Sequence, residues 1–341
     1  MRILIVRPDK LGDLIATLPM ATAIKRAMPD AHVMFMVRDY TAPILKIAPD
    51  VDETIILDPK AHYREKIKLF KSIRTDSVIF PVAKLDLAFY AKLAYKPRRV
   101  GTVGTGYRLY SMLYSHRVYE HRKKAKRHEA EYNVRMLSEI GIDSPDTPLP
   151  RLELRSQDLL RADENIVSLF GKQSQKYVVL HIGSGGSSFE WPKERYAAFG
   201  NWVAQRLGLP VVLTGLRSES ETLLSVSEVM ERQGASVTLF LDKPMLELAG
   251  LLARAELVVA SSTGPGHLAA ALGTPKLGLF PLIRPLSRVR WGFRGEQVLN
   301  LEPVMPPKPE CPDCKRCECL QRIETGDVEI AAEKLLKGRL L

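Results

Sequence analysis

Residues 257–280, LVVASSTGPGHLAAALGTPKLGLF, decide how this chain folds. Leu257, Val258 and Val259 form an apolar run bounded by turn residues, the pattern of an interior strand in a parallel sheet. Ser261, Ser262, Thr263 and Gly264 then open a short apolar helix expected over residues 267–272, and a second buried strand is expected over 276–280. Backbone N–H groups and hydroxyls therefore converge at a helix N-terminus, which carries partial positive charge and unpaired donors. Such an end binds anions, most often phosphate. Ordinary capping by Ser or Thr accounts for the same residues, so the stretch alone leaves both readings open.

The same rhythm runs through the rest of the chain. Strands are expected over residues 2–7, 32–37, 53–57, 77–80 and 98–101, and helices over 11–28, 42–47, 63–73, 85–95 and 129–140. The pattern restarts with strands over 177–181, 210–213 and 236–240 and helices over 193–207, 218–233 and 245–253. Strand–helix alternation of this kind predicts an α/β architecture with parallel sheets and right-handed crossovers. Residues 143–155, DSPDTPLPRLELR, are rich in Pro and turn formers and read as a linker. The expectation is two Rossmann-like domains, residues 1–150 and 151–341, facing one another across a cleft.

Composition bounds the function. A chain of 341 residues is long enough for two domains with their own cores, and 45% hydrophobic with 26% charged residues is the make-up of a soluble globular protein. No run approaches the length of a membrane span, and Met1 to Val6 reads as a first strand rather than a leader, which places the expected compartment in the cytosol. The net charge of +11 favours acidic partners. The excess gathers in the first half: Lys60, Arg64, Lys66, Lys68, Lys71 and Arg74; then Lys96, Arg98 and Arg99; then Arg117, Arg122, Lys123, Lys124, Lys126 and Arg127. Each cluster alone suits a solvated face, but three within one half favour an acidic ligand. Nucleic acid is disfavoured, because the basic runs lack interleaved aromatics and no recognised binding motif is present.

Ligands of parallel sheets bind beyond the carboxyl ends of the strands. The first strand exits into Arg7-Pro8-Asp9-Lys10-Leu11-Gly12-Asp13. This is not the GxGxxG dinucleotide fingerprint. Gly12 lets the turn run close to a ligand, and Asp13 falls in the first helical turn, where a carboxylate either removes a proton from a substrate hydroxyl or complements the helix dipole. The strand over 177–181 ends in HIGSGGSS at residues 181–188, whose glycines and serines suit a phosphate nest, followed by EWPKERY at 190–196. Pro192 suits a helix start, and Lys193 then projects a point charge toward a diphosphate or simply into solvent. Trp191 suits packing better than base stacking.

Taken together, VRPDKLGDLIATLP at 6–19, HEAEYNVRMLSEIGI at 128–142, HIGSGGSSFEWPKERY at 181–196 and the opening stretch resemble glycosyltransferase family nine, the heptosyltransferases of the lipopolysaccharide inner core. The resemblance implies the GT-B fold, with the acceptor held mainly by the first domain and the nucleotide sugar mainly by the second, and a C-terminal helix packing back toward the first. It implies Asp13 as general base and Lys193 as the cation stabilising the leaving diphosphate, in one inverting displacement. Ser184 and Gly185 fall where the family cradles donor phosphates, Thr263, Gly264 and His267 line the opposite wall, and Glu219 is aligned with the nucleoside. The implied donor is ADP-heptose, and the implied acceptor is a polyanionic, membrane-borne lipopolysaccharide core. That acceptor gives Gly12, Lys60, Arg64 and Lys66 a role and implies peripheral contact with the inner face of the inner membrane. No cofactor or divalent metal is implied. Two departures leave a different sugar, or binding without catalysis, as alternatives: Ser262 stands where many members carry Asp, and residues 280–285, FPLIRP, replace a Gly-Pro-Thr pattern.

All four cysteines, Cys311, Cys314, Cys317 and Cys319, fall in CPDCKRCEC. The first three have a spacing that supplies thiolates to zinc or an iron–sulfur cluster. The last gap is tight for one tetrahedral site and no second pair follows, so structural thiols are favoured over a metal, with a disulfide as a further option.

Overall fold

The computed structural model describes residues 1–104, 109–172, 174–186, 188–304 and 319–337. The chain divides into two compact units, Met1–Glu153 and Leu154–Leu341.

The first unit runs β1 (Arg2–Val6), α1 (Leu11–Ile15), α2 (Leu18–Ala27), β2 (His32–Val37), α3 (Ala42–Leu45), β3 (Glu53–Ile56), α4 (Tyr63–Ser72), β4 (Ser77–Phe80), α5 (Leu85–Leu93), β5 (Arg98–Val103), β6 (His116–Tyr119) and α6 (Glu129–Arg135). Its six strands are all parallel, in the order β3-β2-β1-β4-β5-β6. Leu4 and Val6 of β1, Met34 and Met36 of β2 and Val78 and Phe80 of β4 stack into one buried face, against Phe70 of α4 and Leu87, Ala88 and Ala91 of α5. Central strands covered on both sides need apolar residues throughout their buried length, which explains the ILIV run of β1 and the VMFMV run of β2 after their partly buried first residues, Arg2 and His32.

The second unit runs α7 (Ser156–Phe170), β7 (Val178–His181), α8 (Lys193–Trp202), β8 (Val211–Gly215), α9 (Ser220–Arg232), β9 (Val237–Leu241), α10 (Met245–Arg254), β10 (Leu257–Ser261), α11 (Gly264–Ala271), β11 (Lys276–Leu279), α12 (Arg288–Trp291), β12 (Val298–Leu301) and α13 (Thr325–Leu336). Its sheet is again parallel, in the order β12-β11-β10-β7-β8-β9. Val328, Ala332 and Leu336 of α13 join the core beneath α8, and the buried Trp191 indole donates to the Ile323 carbonyl at 2.8 Å, pinning the segment that leads into α13. Trp191 also meets Tyr196 edge-on, so this indole packs rather than stacks on a ligand.

Each sheet winds outward from its centre in two directions. β1 lies beside β4 in the first, and β7 beside β10 in the second. The crevice at the carboxyl ends of such a neighbouring pair is where open α/β sheets hold their ligands.

Several elements differ from the sequence expectation. The helix expected over 11–28 is broken into α1 and α2, because Pro19 has no N–H to continue α1 and occupies the second position of α2 instead. The helix over 193–207 changes to π geometry from Val203. The helix after Thr263 starts three residues earlier than expected, at Gly264. Four elements carry no expectation from the sequence: β6, β12, α7 and the single-turn α12. Two members of the basic clusters are interior rather than solvated. Lys96 is buried with its ammonium on the Ile73 carbonyl, and Arg122 is buried against Glu129.

Candidate active site

In the first unit the loop leaving β1 turns at Arg7 and enters α1, which places Asp13 at the β1/β4 crevice. Arg7 is 0% exposed, and its Nη2 donates to Asp13 Oδ1 at 2.6 Å. Across the crevice, Lys84 from the loop after β4 reaches Asp9 Oδ1 at 2.5 Å. Asp13 remains partly open, with 25% of its side chain exposed. Burial pushes its carboxyl up from the ordinary aspartate value; the charge of Arg7 opposes this, while Asp9 and Glu129 add to it. The result is a carboxylate held in place, reachable from solvent and more basic than a free aspartate. A general base needs those three properties. Gly12 precedes it in the same turn and is half-buried.

The three basic acceptor candidates lie at the same edge of the sheet, at the exit of β3. Two strand spacings separate β3 from β1, roughly 10 Å. Lys60 and Arg64 are exposed, with Arg64 resting over the Tyr63 ring at 5.8 Å. Lys66 is half-buried and its ammonium is already engaged by the Pro59 carbonyl at 2.8 Å, so it braces the loop.

In the second unit, the β7/β10 crevice is lined by the loop after β7 and by the start of α11. Gly185 and Gly186 have φ of +52° and +70°, which only glycine adopts without strain, and they fold the loop back on itself. Its donors meet carboxylates: Ser184 N–H and Oγ donate to Glu190 Oε1 at 2.9 and 2.8 Å, and Gly185 N–H donates to Glu219 Oε1 at 3.2 Å. The anion-seeking character expected of this loop is thus present, with two glutamates bonded to it. Glu219 also accepts from Leu216 N–H at 2.8 Å, and Gly183 has no room for a Cβ because the Glu219 carboxylate fills that space. Glu219 is therefore a clamp on both the β7 and β8 loops.

On the other wall Thr263 caps α11, its hydroxyl accepting from Gly266 N–H at 3.4 Å. Pro265 has no N–H, so the Gly264 N–H points out of the helix end with no partner among the described residues. His267 is buried, its ring edge-on to Phe293 with centroids 4.8 Å apart. Lys193 is the first residue of α8; it is exposed and has no partner among the described residues. A cation so placed is available to a ligand.

Cys319 is disulfide-bonded and accepts from Leu282 N–H at 3.5 Å; a sulfur so bonded supplies no thiolate to a metal. Cys311, Cys314 and Cys317 lie outside the described residues. Among the described residues no group of three or more His, Cys, Asp or Glu could hold a metal ion.

Sequence reasoning passed over Arg7, Lys84, Arg122 and Glu129 as parts of this site. Arg7 and Glu129 both stand inside motifs quoted above. Their pairing spans more than a hundred residues, and no local pattern announces it.

Two parallel six-stranded sheets, each with its motif loops at the reversal of winding, define the GT-B class of glycosyltransferase. Escherichia coli ADP-heptose lps heptosyltransferase II has the same fold, with a TM-score of 0.80 over 99% of this chain and 99% of that one at 18% identity. The chain belongs to glycosyltransferase family 9 (heptosyltransferase), whose family model it matches over residues 67–311. Among curated relatives, lipopolysaccharide heptosyltransferase 1 of Pseudomonas aeruginosa is 28% identical, covering 94% of this chain and 87% of its own. Lipopolysaccharide heptosyltransferase 3 of Escherichia coli K12 is 26% identical over 95% of both chains.

Proposed function

We propose that this glycosyltransferase moves a heptose from ADP-heptose to an anionic lipopolysaccharide inner-core acceptor, with inversion at the anomeric carbon. Asp13 takes the proton of the acceptor hydroxyl, and that oxygen attacks the anomeric carbon. The bond to the diphosphate breaks in the same step, its electron pair leaving with ADP. Lys193 and the Thr263–Gly264 helix end neutralise the charge that develops on the leaving group. Ser184 and Gly185 line the phosphate loop, Glu219 offers its remaining lone pairs to ribose hydroxyls, and His267 walls the pocket. The first domain, expected from the sequence at residues 1–150, takes the acceptor, and the second, expected at 151–341, takes the donor. No described helix is long and apolar enough to cross a membrane. We place the chain in the cytoplasm, in peripheral contact with the inner membrane through its basic surface, because the acceptor is membrane-borne.

The observation that carries this reading is the position of Asp13: a partly open carboxylate at the β1/β4 reversal, fixed at 2.6 Å by a buried arginine and raised in basicity by burial. Substituting Asp13→Asn keeps the shape and removes the base. ADP release from ADP-heptose in the presence of a Kdo–lipid A acceptor should fall at least about 100-fold, while ADP-heptose binding stays within about twofold. Full activity in this variant would reject Asp13 as base. A second reading, transfer of a different nucleotide-activated sugar, is favoured by Ser262, a buried hydroxyl where many members carry a carboxylate. Release of nucleoside diphosphate from another donor but not from ADP-heptose selects it, and release from none selects a binding protein.

A further inference from the structure

Three carboxylates, the candidate base among them, are drawn to one buried cation. The Arg7 guanidinium lies with Nη2 2.6 Å from Asp13 Oδ1 and 3.6 Å from Glu129 Oε1, and with Nε 3.5 Å from Asp9 Oδ2. Two of the three have a second cation. Lys84 pairs with Asp9 at 2.5 Å, and Arg122 Nη1 pairs with Glu129 Oε1 at 2.5 Å. No second cation pairs with Asp13 among the described residues.

The arrangement closes on itself. Arg122 Nη1 also donates to Asn133 Oδ1 at 2.7 Å, and Asn133 Nδ2 donates to the Ala16 carbonyl and to Thr17 Oγ1, each at 3.1 Å. Thr17 Oγ1 in turn donates to the Asp13 carbonyl at 2.8 Å. The backbone of Asp13 is thus tied to α6 at Asn133 and its carboxylate at Glu129, and Arg122 bridges those two ends.

A carboxylate paired alone with a buried arginine is strongly ionised and a poor proton acceptor, whereas one buried with no cation takes up a proton and stays neutral. Neither serves a base. We infer that Glu129, joined at the rim by Asp9, is a positioning residue for Asp13: it draws on the same guanidinium and leaves Asp13 oriented by Arg7 but only partly neutralised. This rests on the reading of Asp13 as the base. The charged and titratable groups facing Asp13 are Arg7 at the end of β1, Asp9 in the following loop, Tyr40 after β2 and Glu129 on α6. Lys84 stands behind Asp9, and Arg122 behind Glu129.

Glu129→Gln keeps the shape and removes the competing charge, so Arg7 should bind Asp13 more fully. The direct test is a carbon-13 titration of the Asp13 carboxyl in the free protein, assigned by its loss in Asp13→Asn. Its midpoint should fall by about half a pH unit or more in Glu129→Gln. Asp9→Asn, at the less buried rim, should shift it the same way, and it carries the test if Glu129→Gln does not fold. Turnover of ADP-heptose with Kdo–lipid A gives the second readout. The acidic limb of the kcat–pH profile should move down with the titration, the plateau should drop about two- to fivefold, and both KM values should hold. Loss of packing alone would lower kcat at every pH without moving the limb. A midpoint unmoved in the folded variants overturns the role of Glu129 and Asp9. Full turnover by Asp13→Asn overturns the base reading instead, so the two failures are distinct.

Discussion

Lys276 is the residue least expected from the sequence, a lysine that is 0% exposed at the first position of β11. Its ammonium has no hydrogen-bond partner among the described residues and rests over the Phe293 ring, 4.7 Å from the centroid. Burial drives its pKa well below the ordinary lysine value. A depressed lysine binds fewer protons folded than unfolded, so stability is lost as pH falls from the ordinary lysine value toward the folded one. Lys276→Met fills the same volume without the polar atom and should stabilise the protein by about 1–3 kcal/mol at neutral pH. Thermal unfolding across the alkaline range checks both parts: a higher Tm, and a flatter rise of Tm with pH than the parent shows. His181 on β7 is buried beside the Lys276 charge, donates or accepts at Thr214 Oγ1 at 2.9 Å, and is pushed down to about 4. The sign is the same for histidine. Stability present above the ordinary histidine value is lost as pH falls toward 4, by about 3 kcal/mol at that point.

At the scale of elements, α11 depends on a close approach. Gly266 lies against the buried Phe293 ring, which occupies the space of a Cβ, and Phe293 is itself held by His267, Phe280 and the Lys276 ammonium. Alanine in a helix interior ordinarily gains about 1 kcal/mol over glycine. Overpacking a fixed ring costs about 1–3 kcal/mol, so the clash outweighs the propensity. Gly266→Ala should therefore lower Tm and raise the donor KM, because Thr263 and Gly264 move with the helix start. Unchanged values for both would show that the ring yields. The same element explains what was legible. Its strand, cap and turn residues are local, so LVVASSTGPG gives the strand–turn–helix architecture and a candidate site directly. The strands passed over, β6 and β12, are both sheet edges: their residues are partly exposed and lack the apolar run of an interior strand. Helix α7 buries only a narrow stripe, Asp158, Ala162 and Ile166, with Ala162 against Gly250 of α10. Its apolar residues Leu159, Ala162, Ile166 and Phe170 nevertheless recur at helical spacing, so this helix is legible in the sequence although no expectation is drawn for it. Asp13 was legible as a candidate because its loop is local, whereas the Arg7–Glu129–Arg122 ring joins residues far apart in the chain.

Over the whole molecule the net charge of +11 acts at longer range than any single contact. Members of the basic clusters, each read from the sequence as a solvated face and together as favouring an acidic ligand, separate in the structure. Lys96 and Arg122 are buried and Lys66 is engaged, while Lys60, Arg64, Lys68 and Lys71 remain exposed around α4 and the loop before it. On the proposed function, exposed charges steer the polyanionic acceptor through the solvent, and salt screens that attraction over about 8 Å at physiological ionic strength. Steering changes encounter more than chemistry, so it shows in KM and in its salt dependence rather than in kcat. Replacing Lys60 and Arg64 together by Glu should raise the acceptor KM about three- to tenfold at low salt and leave kcat and the donor KM near the parent values. Raising ionic strength should weaken acceptor binding by the parent protein and narrow the difference between the two. An acceptor KM that does not respond to the double replacement would assign these two side chains to solvation alone, and the acceptor would then be held by groups nearer Asp13.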